Sequence, residues 1–172
     1  MLSERTIIDY LVWDHARLHG LIEQAMARPH LDAEAFAAFR RGLLRHIAIE
    51  EKVLFPAVRR ARGGLVLARA HELRIDHAAL TSLLVPTPDL ALCHEVLSLL
   101  SMHDVKEEAA GGTYGECKSW LNGDELVLLA QHAASFPEVR VARHSDGPHV
   151  HRTAEGALAS ARRLRAPKKD RS

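Results

Sequence analysis

The sequence predicts an all-α chain, an up-down-up-down four-helix bundle followed by a C-terminal extension containing short helices. Three observations predict it. Apolar residues recur every three or four positions in four successive stretches of helical length, so each stretch offers one apolar stripe. Prolines or glycine pairs punctuate the joins between them. A polar pattern occurs twice within the same stripes: Asp14-His15-Ala16 then His46-x-x-x-Glu50-Glu51, and Asp76-His77-Ala78 then His103-x-x-x-Glu107-Glu108, at offsets of 62 and 57 residues.

The first helix is expected over residues 4–27, with Ile7, Leu11, His15, Leu18 and Ile22 on one face. Pro29 closes it, and Asp32 offers an N-cap for the second helix, over about 32–62. That stripe runs Phe36, Phe39, Leu43, His46, Glu50, Val53 and is stopped by Gly63-Gly64. A third helix, about 65–84, carries Leu73, His77, Leu80 and Leu84 and ends before Pro86 and Pro88. The fourth, about 88–110, carries Leu92, Val96, Leu99, His103 and Glu107 and is terminated by Gly111-Gly112. Beyond it the pattern weakens to a short helix from Asp124 to Ser135, a possible strand Val139-Arg140-Val141-Ala142, a turn at Asp146-Gly147-Pro148, and an amphipathic helix from Thr153 to Arg165. The organisation expected is a bundle over 1–112, an extension packed on it over 113–165, and a basic flexible tail over 166–172.

A chain of 172 residues is about one domain and buries roughly 70% of its unfolded surface, enough for a core without staples. The net charge of +1 conceals an asymmetry: residues 1–136 hold 14 Lys+Arg against 18 Asp+Glu, and residues 137–172 hold 9 against 4. The basic end, Arg162-Arg163-Leu164-Arg165 and Lys168-Lys169, reads as a solvated terminus rather than a nucleic-acid site. Cys93 and Cys117 form no disulfide framework and no C-x-x-C pair. The N-terminus lacks the basic start and apolar run of a signal peptide, and no apolar stretch is long enough to span a bilayer, so a cytoplasmic protein without a membrane partner is expected. No Gly-x-Ser-x-Gly, no phosphate-cradling Gly-x-x-x-x-Gly-Lys and no Gly-x-Gly-x-x-Gly occurs, which leaves hydrolytic and nucleotide chemistry unsupported.

The doubled pattern carries the chemistry. Residues i and i+4 of a helix lie one turn apart on one face, so His46 and Glu50 reach inward together, as do His103 and Glu107. His15 and His77 add one imidazole each from facing helices. Four imidazoles and two carboxylates suit iron or manganese and are acceptable to zinc. Without an ion their burial is unfavourable, because a buried carboxylate or cationic imidazole loses its hydration with nothing in exchange.

These residues resemble the hemerythrin-like, HHE cation-binding family. The resemblance covers about residues 5–110 and rests on Trp13-Asp14-His15, on His46-Ile-Ala-Ile-Glu50-Glu51 with its Leu54-Phe55-Pro56 sequel, on Asp76-His77, and on His103-Asp-Val-Lys-Glu107-Glu108. It implies a non-haem diiron centre with an oxo or hydroxo bridge. The glutamates would bridge the two irons, the histidines terminate them, and an open position would take O2 or a related small ligand such as peroxide or nitric oxide. Two departures stand out. The animal oxygen carriers of this type use five histidines and an Asp, whereas Glu107 here gives a four-His, two-Glu set, leaving one iron less histidine-rich or calling for a ligand from elsewhere. Glu107-Glu108 is also followed by Ala-Ala-Gly-Gly-Thr-Tyr114 rather than by a Phe-Pro sequel.

Other residues have plainer expectations. His19, one turn after His15, is a fifth ligand, a partner of a ligand, or a residue without a role. His71 lies about 240° around the helix from His77 and points to solvent. Asp14 and Asp76 read as solvated, and Glu51 and Glu108 as salt-bridging residues of the helix faces. Tyr114 would share the face of Glu107 if the helix continued; with Gly111-Gly112 between them, only a chain folding back sets its phenol over the metals, as a candidate catalytic group. His144, His149 and His151 read as a histidine-bearing turn. Three functions follow: a diiron protein that binds O2 or senses it or iron, a diiron oxidase, oxygenase or peroxidase whose C-terminal extension shapes a substrate pocket, or a closed structural metal site. Oligomeric state is left open.

Overall fold

In a computed structural model, which describes residues 5–166, the chain is all-helical, and no strand occurs among the described residues. The helices are α1 (Ile7–Met26), α2 (Ala33–Ile49), α3 (Phe55–Ala61), α4 (Ala70–Leu83), α5 (Leu90–Glu108), α6 (Thr113–Trp120), α7 (Gly123–Ala134) and α8 (Ala154–Arg165). A π-helical turn, Glu50–Leu54, joins α2 to α3 without a break. The Lys168-Lys169 end falls outside the described residues.

Caps set the helix starts. Thr6 and Asp9 form a reciprocal capping box on α1, Asp32 accepts from Glu34 and Ala35 at the head of α2, and Asp89 accepts from Leu92 at the head of α5, each satisfying amide groups that have no partner within the helix. The third helix starts later than its periodicity predicts. Residues 65–69 turn instead, because the Ala68 amide donates to the Glu116 carboxylate and Arg62 holds the Val66 carbonyl, and Leu65 and Val66 remain exposed. The strand expected at Val139–Ala142 does not form. Its backbone lies along α2, where Arg40 Nη1 takes the Ala142 carbonyl at 2.9 Å.

The second helix departs from its expected register. Pro56 has no amide to donate, and the chain accommodates it through the π turn, in which the Phe55 amide donates to the Glu50 carbonyl five residues back. The extra residue moves the buried position from Val53 to Leu54, which is fully buried.

Side chains fill two apolar clusters with a polar layer between them. One gathers Leu11, Ile49, Leu54 and Leu73 with Cys117 and the inner face of α7. The other gathers Leu18, Leu43, Leu80 and Leu99 with Ala157 and Ala161 of α8. Each long stripe passes from one cluster to the other, and the polar residues sit where it crosses: His15 between Leu11 and Leu18, His77 between Leu73 and Leu80. After α5, α6 packs on α5 and α3, α7 on α1, and α8 on α4 and α5. Arg45 fastens the end of α7, donating to the carbonyls of Ala133, Ala134 and Phe136 and to the Tyr10 hydroxyl. No helix among the described residues is long and apolar enough to cross a membrane.

Candidate metal centre

The stripes of α1, α2, α4 and α5 bring His15, His46, Glu50, His77, His103 and Glu107 to one place, each at most 3% exposed. They form two groups of four that share both glutamates: His15, His46, Glu50 and Glu107, and Glu50, His77, His103 and Glu107. Glu50 Oε1 lies 3.7 Å from His46 Nε2 and its Oε2 3.2 Å from His77 Nε2. Glu107 does the equivalent, with Oε1 3.3 Å from His103 Nε2 and Oε2 3.4 Å from His15 Nε2. The histidines therefore divide evenly, two to each group, and neither half is histidine-poor.

Every cage imidazole presents Nε2 inward and is held from behind at Nδ1 by a carboxylate. Asp14 Oδ2 lies 3.0 Å from His46 Nδ1, Glu51 Oε1 2.9 Å from His77 Nδ1, Asp76 Oδ2 3.4 Å from His103 Nδ1 and Glu108 Oε1 2.5 Å from His15 Nδ1. The contacts close a ring: an acid next to a cage residue on α1 orients the histidine of α2, the π turn orients that of α4, α4 that of α5, and α5 that of α1. An ionised carboxylate only accepts, so it fixes a proton on Nδ1, and Nε2 is the nitrogen that offers a lone pair to an ion once the ring is neutral. Asp14 and Asp76, expected to be solvated, are each 2% exposed. At these two positions the neighbouring helix, not water, covers the carboxylate. Glu51 and Glu108 do form ion pairs, but with cage histidines. Arg17 backs Asp14, Arg74 backs Glu51, and Lys106 backs Asp76.

Burial and mutual charge set the protonation of the cage. Burial opposes charge on His46, yet Glu50 and Asp14 outweigh it and push its pKa up to about 10. Burial likewise opposes charge on His15, His77 and His103, and their carboxylate neighbours raise all three. The same imidazoles hold Glu50 well below the carboxylate range despite its burial, and lower Glu107 against both burial and the charge of Glu50. Protons thus serve as counter-ions to the two carboxylates. Even so, His46 Nε2, Glu50 Oε2 and both Glu107 oxygens are buried without a hydrogen-bond partner. Such orphaned atoms are rare in native interiors; here they converge, and all are N or O donors suited to a cation of intermediate hardness.

Tyr114 reaches this cage from α6, a helix that sequence periodicity does not reveal. Gly111 adopts φ +76°, open to glycine at no steric penalty, and a Cβ on Gly112 would lie 2.6 Å from the Glu107 carbonyl oxygen. The glycine pair thus folds the chain back over the end of α5. Tyr114 is buried, its Oη donates to Glu50 Oε1 at 2.6 Å, and it lies 3.4 Å from His15 Nε2. Burial, with Glu107 and Glu50 alongside, raises its pKa well above the ordinary value, so the phenol keeps its proton.

The remaining candidates lie apart from the cage. His19 does not join either group but contacts Asp104 Oδ2 at 2.7 Å, and Asp104 was given no role by its spacing. His71 is exposed. His144 packs near Phe36 and Arg40, His149 is exposed and His151 is half-buried; among the described residues they form no metal-holding group. Cys93 and Cys117 are free and buried, and burial pushes their thiols up to about 11 and about 12, the inert end of thiol chemistry.

A family model described as hemerythrin HHE cation binding domain matches residues 6–134, a stretch that runs past Gly112 to include α6 and α7. No curated protein and no solved structure matches the chain.

Proposed function

The chain belongs to the hemerythrin HHE cation-binding domain family, and from that premise we propose that it is a non-haem diiron protein that binds or reacts with O2 or a related small ligand, such as peroxide or nitric oxide, in oxygen or redox sensing or defence. In this reading α1, α2 with α3, α4 and α5 are the four arms of an up-down-up-down bundle around the ions. His15 and His46 would terminate one ion, His77 and His103 the other, and Glu50 and Glu107 would bridge the pair. The observation that carries the reading is the sharing of both glutamates between two otherwise separate ligand groups.

The iron pair, when bound, supplies redox chemistry at coordination positions that the protein leaves open. Each group offers four protein atoms; four would close the tetrahedral shell of a structural zinc, whereas octahedral metal sites hold six ligands. The protein's own residues do the rest. The carboxylate ring fixes the imidazoles, the two apolar clusters exclude water, and Tyr114 keeps a hydroxyl proton at Oη beside Glu50 and His15. A protonated hydroxyl held there favours reaction over simple reversible carriage. A pocket for a small organic substrate shaped by the extension is the second reading, favoured by Tyr114 of α6 at the cage and by Arg165 of α8 beside the groove that ends on His77.

The test is to reduce the iron-loaded protein anaerobically, admit O2 and follow the visible spectrum through repeated cycles. Prompt conversion to a stable oxidised spectrum that needs reductant for each new cycle supports the reading. A band that disappears each time O2 is removed identifies a carrier, and absence of any spectral response identifies a closed structural site.

A further inference from the structure

Because all six cage residues are at most 3% exposed, an ion needs a route inward. Two surface grooves end at the cage. One, of about 500 Å³, lies between α1 and α5 and ends on His15 and Asp104. The other, of about 550 Å³, lies between α2 and α4 and ends on Glu51 and His77. Their charges differ. The α1–α5 groove is lined by the carboxylates of Asp104 and of Glu108, the latter engaged by His15, with no lysine or arginine among the described residues that line it. The α2–α4 groove is bordered by Arg74 and Arg165, and its one carboxylate, Glu51, is already engaged by His77 and Arg74.

Asp104 is 8% exposed. Its Oδ2 contacts His19 Nε2 at 2.7 Å, while its Oδ1 is buried without a hydrogen-bond partner, 3.6 Å from His15 Nε2. A carboxylate oxygen left unpaired in the interior is unfavourable, and a passing cation would satisfy it. Asp104 belongs to neither ligand group of the cage, so it stands between solvent and the His15 side. His19 is 27% exposed and reaches the groove.

We propose that His19 and Asp104 form a transit site for a divalent cation at the inner end of the α1–α5 groove, and that the cage is loaded through it. One imidazole and one carboxylate suit a borderline cation, and two protein ligands hold it weakly enough to pass it on to His15. Carboxylates in a cleft that lacks lysine and arginine raise the local concentration of cations; the guanidiniums of the other groove do the reverse. The inference rests on the cage being a two-ion centre.

Ion-free protein mixed rapidly with cobalt(II) chloride, followed by the visible absorption of the bound ion and by metal analysis at equilibrium, tests it. Asp104→Asn and His19→Ala should each slow loading about tenfold, while two ions per chain and the wild-type cobalt spectrum are reached at equilibrium. Arg165→Gln, in the other groove, should load at the wild-type rate. The transit site is overturned if the Asp104 and His19 variants load as fast as wild type, if Arg165→Gln loads faster, or if Asp104→Asn holds fewer ions at equilibrium, which would make Asp104 a resident ligand. Wild-type protein that never takes up two ions would instead overturn the two-ion centre, and the transit site with it.

Discussion

Oδ2 of Asp14 lies 3.0 Å from Nδ1 of His46, so the acid that precedes one cage histidine in the chain orients a histidine of the next helix. Asp76 repeats this towards His103, and Glu51 and Glu108 complete the ring towards His77 and His15. Each half of the doubled sequence pattern therefore supplies ligands and two orienting acids, one acting within its own half and one on the other. Loss of one such acid frees the imidazole to turn or change tautomer without removing a donor atom. Asp14→Asn should weaken metal binding about tenfold to a hundredfold while leaving the helical content unchanged. Competition against a chelator of known affinity measures it; wild-type affinity in the variant would reduce the ring to passive ion pairing.

The ion-free cage stores protons where metal would sit, and this sets opposite pH dependences for the two states. His46 is raised from an ordinary value of 6.5 to about 10, and His15, His77 and His103 are also raised. A raised folded-state pKa contributes stability that is complete below the unfolded value and is lost as pH rises through the folded one. Glu50 and Glu107, lowered from 4.5, contribute above their unfolded value and lose that contribution as pH falls. Ion-free protein should thus be most stable between about pH 4.5 and 6.5 and weaken towards pH 10. Metal must displace the imidazole protons, so its affinity should climb over the same interval. The gap between loaded and ion-free melting temperatures should widen from pH 6.5 upward, with protons released into weakly buffered solution on loading; a constant gap would show that the histidines are neutral before metal arrives.

Tyr114 separates the two states in another way. In ion-free protein its hydroxyl is a hydrogen-bond partner of Glu50 Oε1, so Tyr114→Phe should lower stability by about 1–3 kcal/mol, the range for leaving one buried partner unsatisfied. With metal bound to Glu50 the loss should shrink, because the oxygen keeps a partner. Melting of wild type and variant, each with and without iron, gives the comparison. Equal losses in both states would place the phenol outside the electrostatics of the cage.

Much of this was legible in the sequence, for reasons that mark the limit of such reading. Residues on a shared stripe, such as His15 between Leu11 and Leu18, are fixed by helical period alone, and all six cage residues lie on such stripes. The π turn is not legible from period: Pro56 hints at it, but the shift from Val53 to Leu54 depends on one extra residue in one turn. Asp14 and Asp76 differ from their expected solvation because a position 100° from the inward face is solvated on an isolated helix and buried only when the adjacent helix is in place. Asp104 escaped for the same reason. Tyr114 depended on the backbone of Gly111 and the close approach at Gly112, which decide whether the chain continues or folds back.

Removal of a cage donor should differ in kind from removal of a histidine elsewhere on the same helix. His77 is 3% exposed and its Nε2 faces both Glu50 and His103, whereas His71, on α4 as well, is exposed. His77→Ala deletes a donor from the second group and leaves a cavity lined by Glu50, Glu51 and His103, with the two acids short of a partner. His71→Ala deletes a solvated ring. Metal that binds only the folded chain stabilises it by about 4 kcal/mol at a thousandfold excess over Kd, so chelation should lower the melting temperature of wild type and of His71→Ala by the same several degrees. His77→Ala should hold fewer than two ions per chain by elemental analysis, and chelation should lower its melting temperature less. Full metal content in His77→Ala would remove it from the ligand set. A wild-type melting temperature insensitive to chelation would show that the ions, where present, sit outside the buried cage.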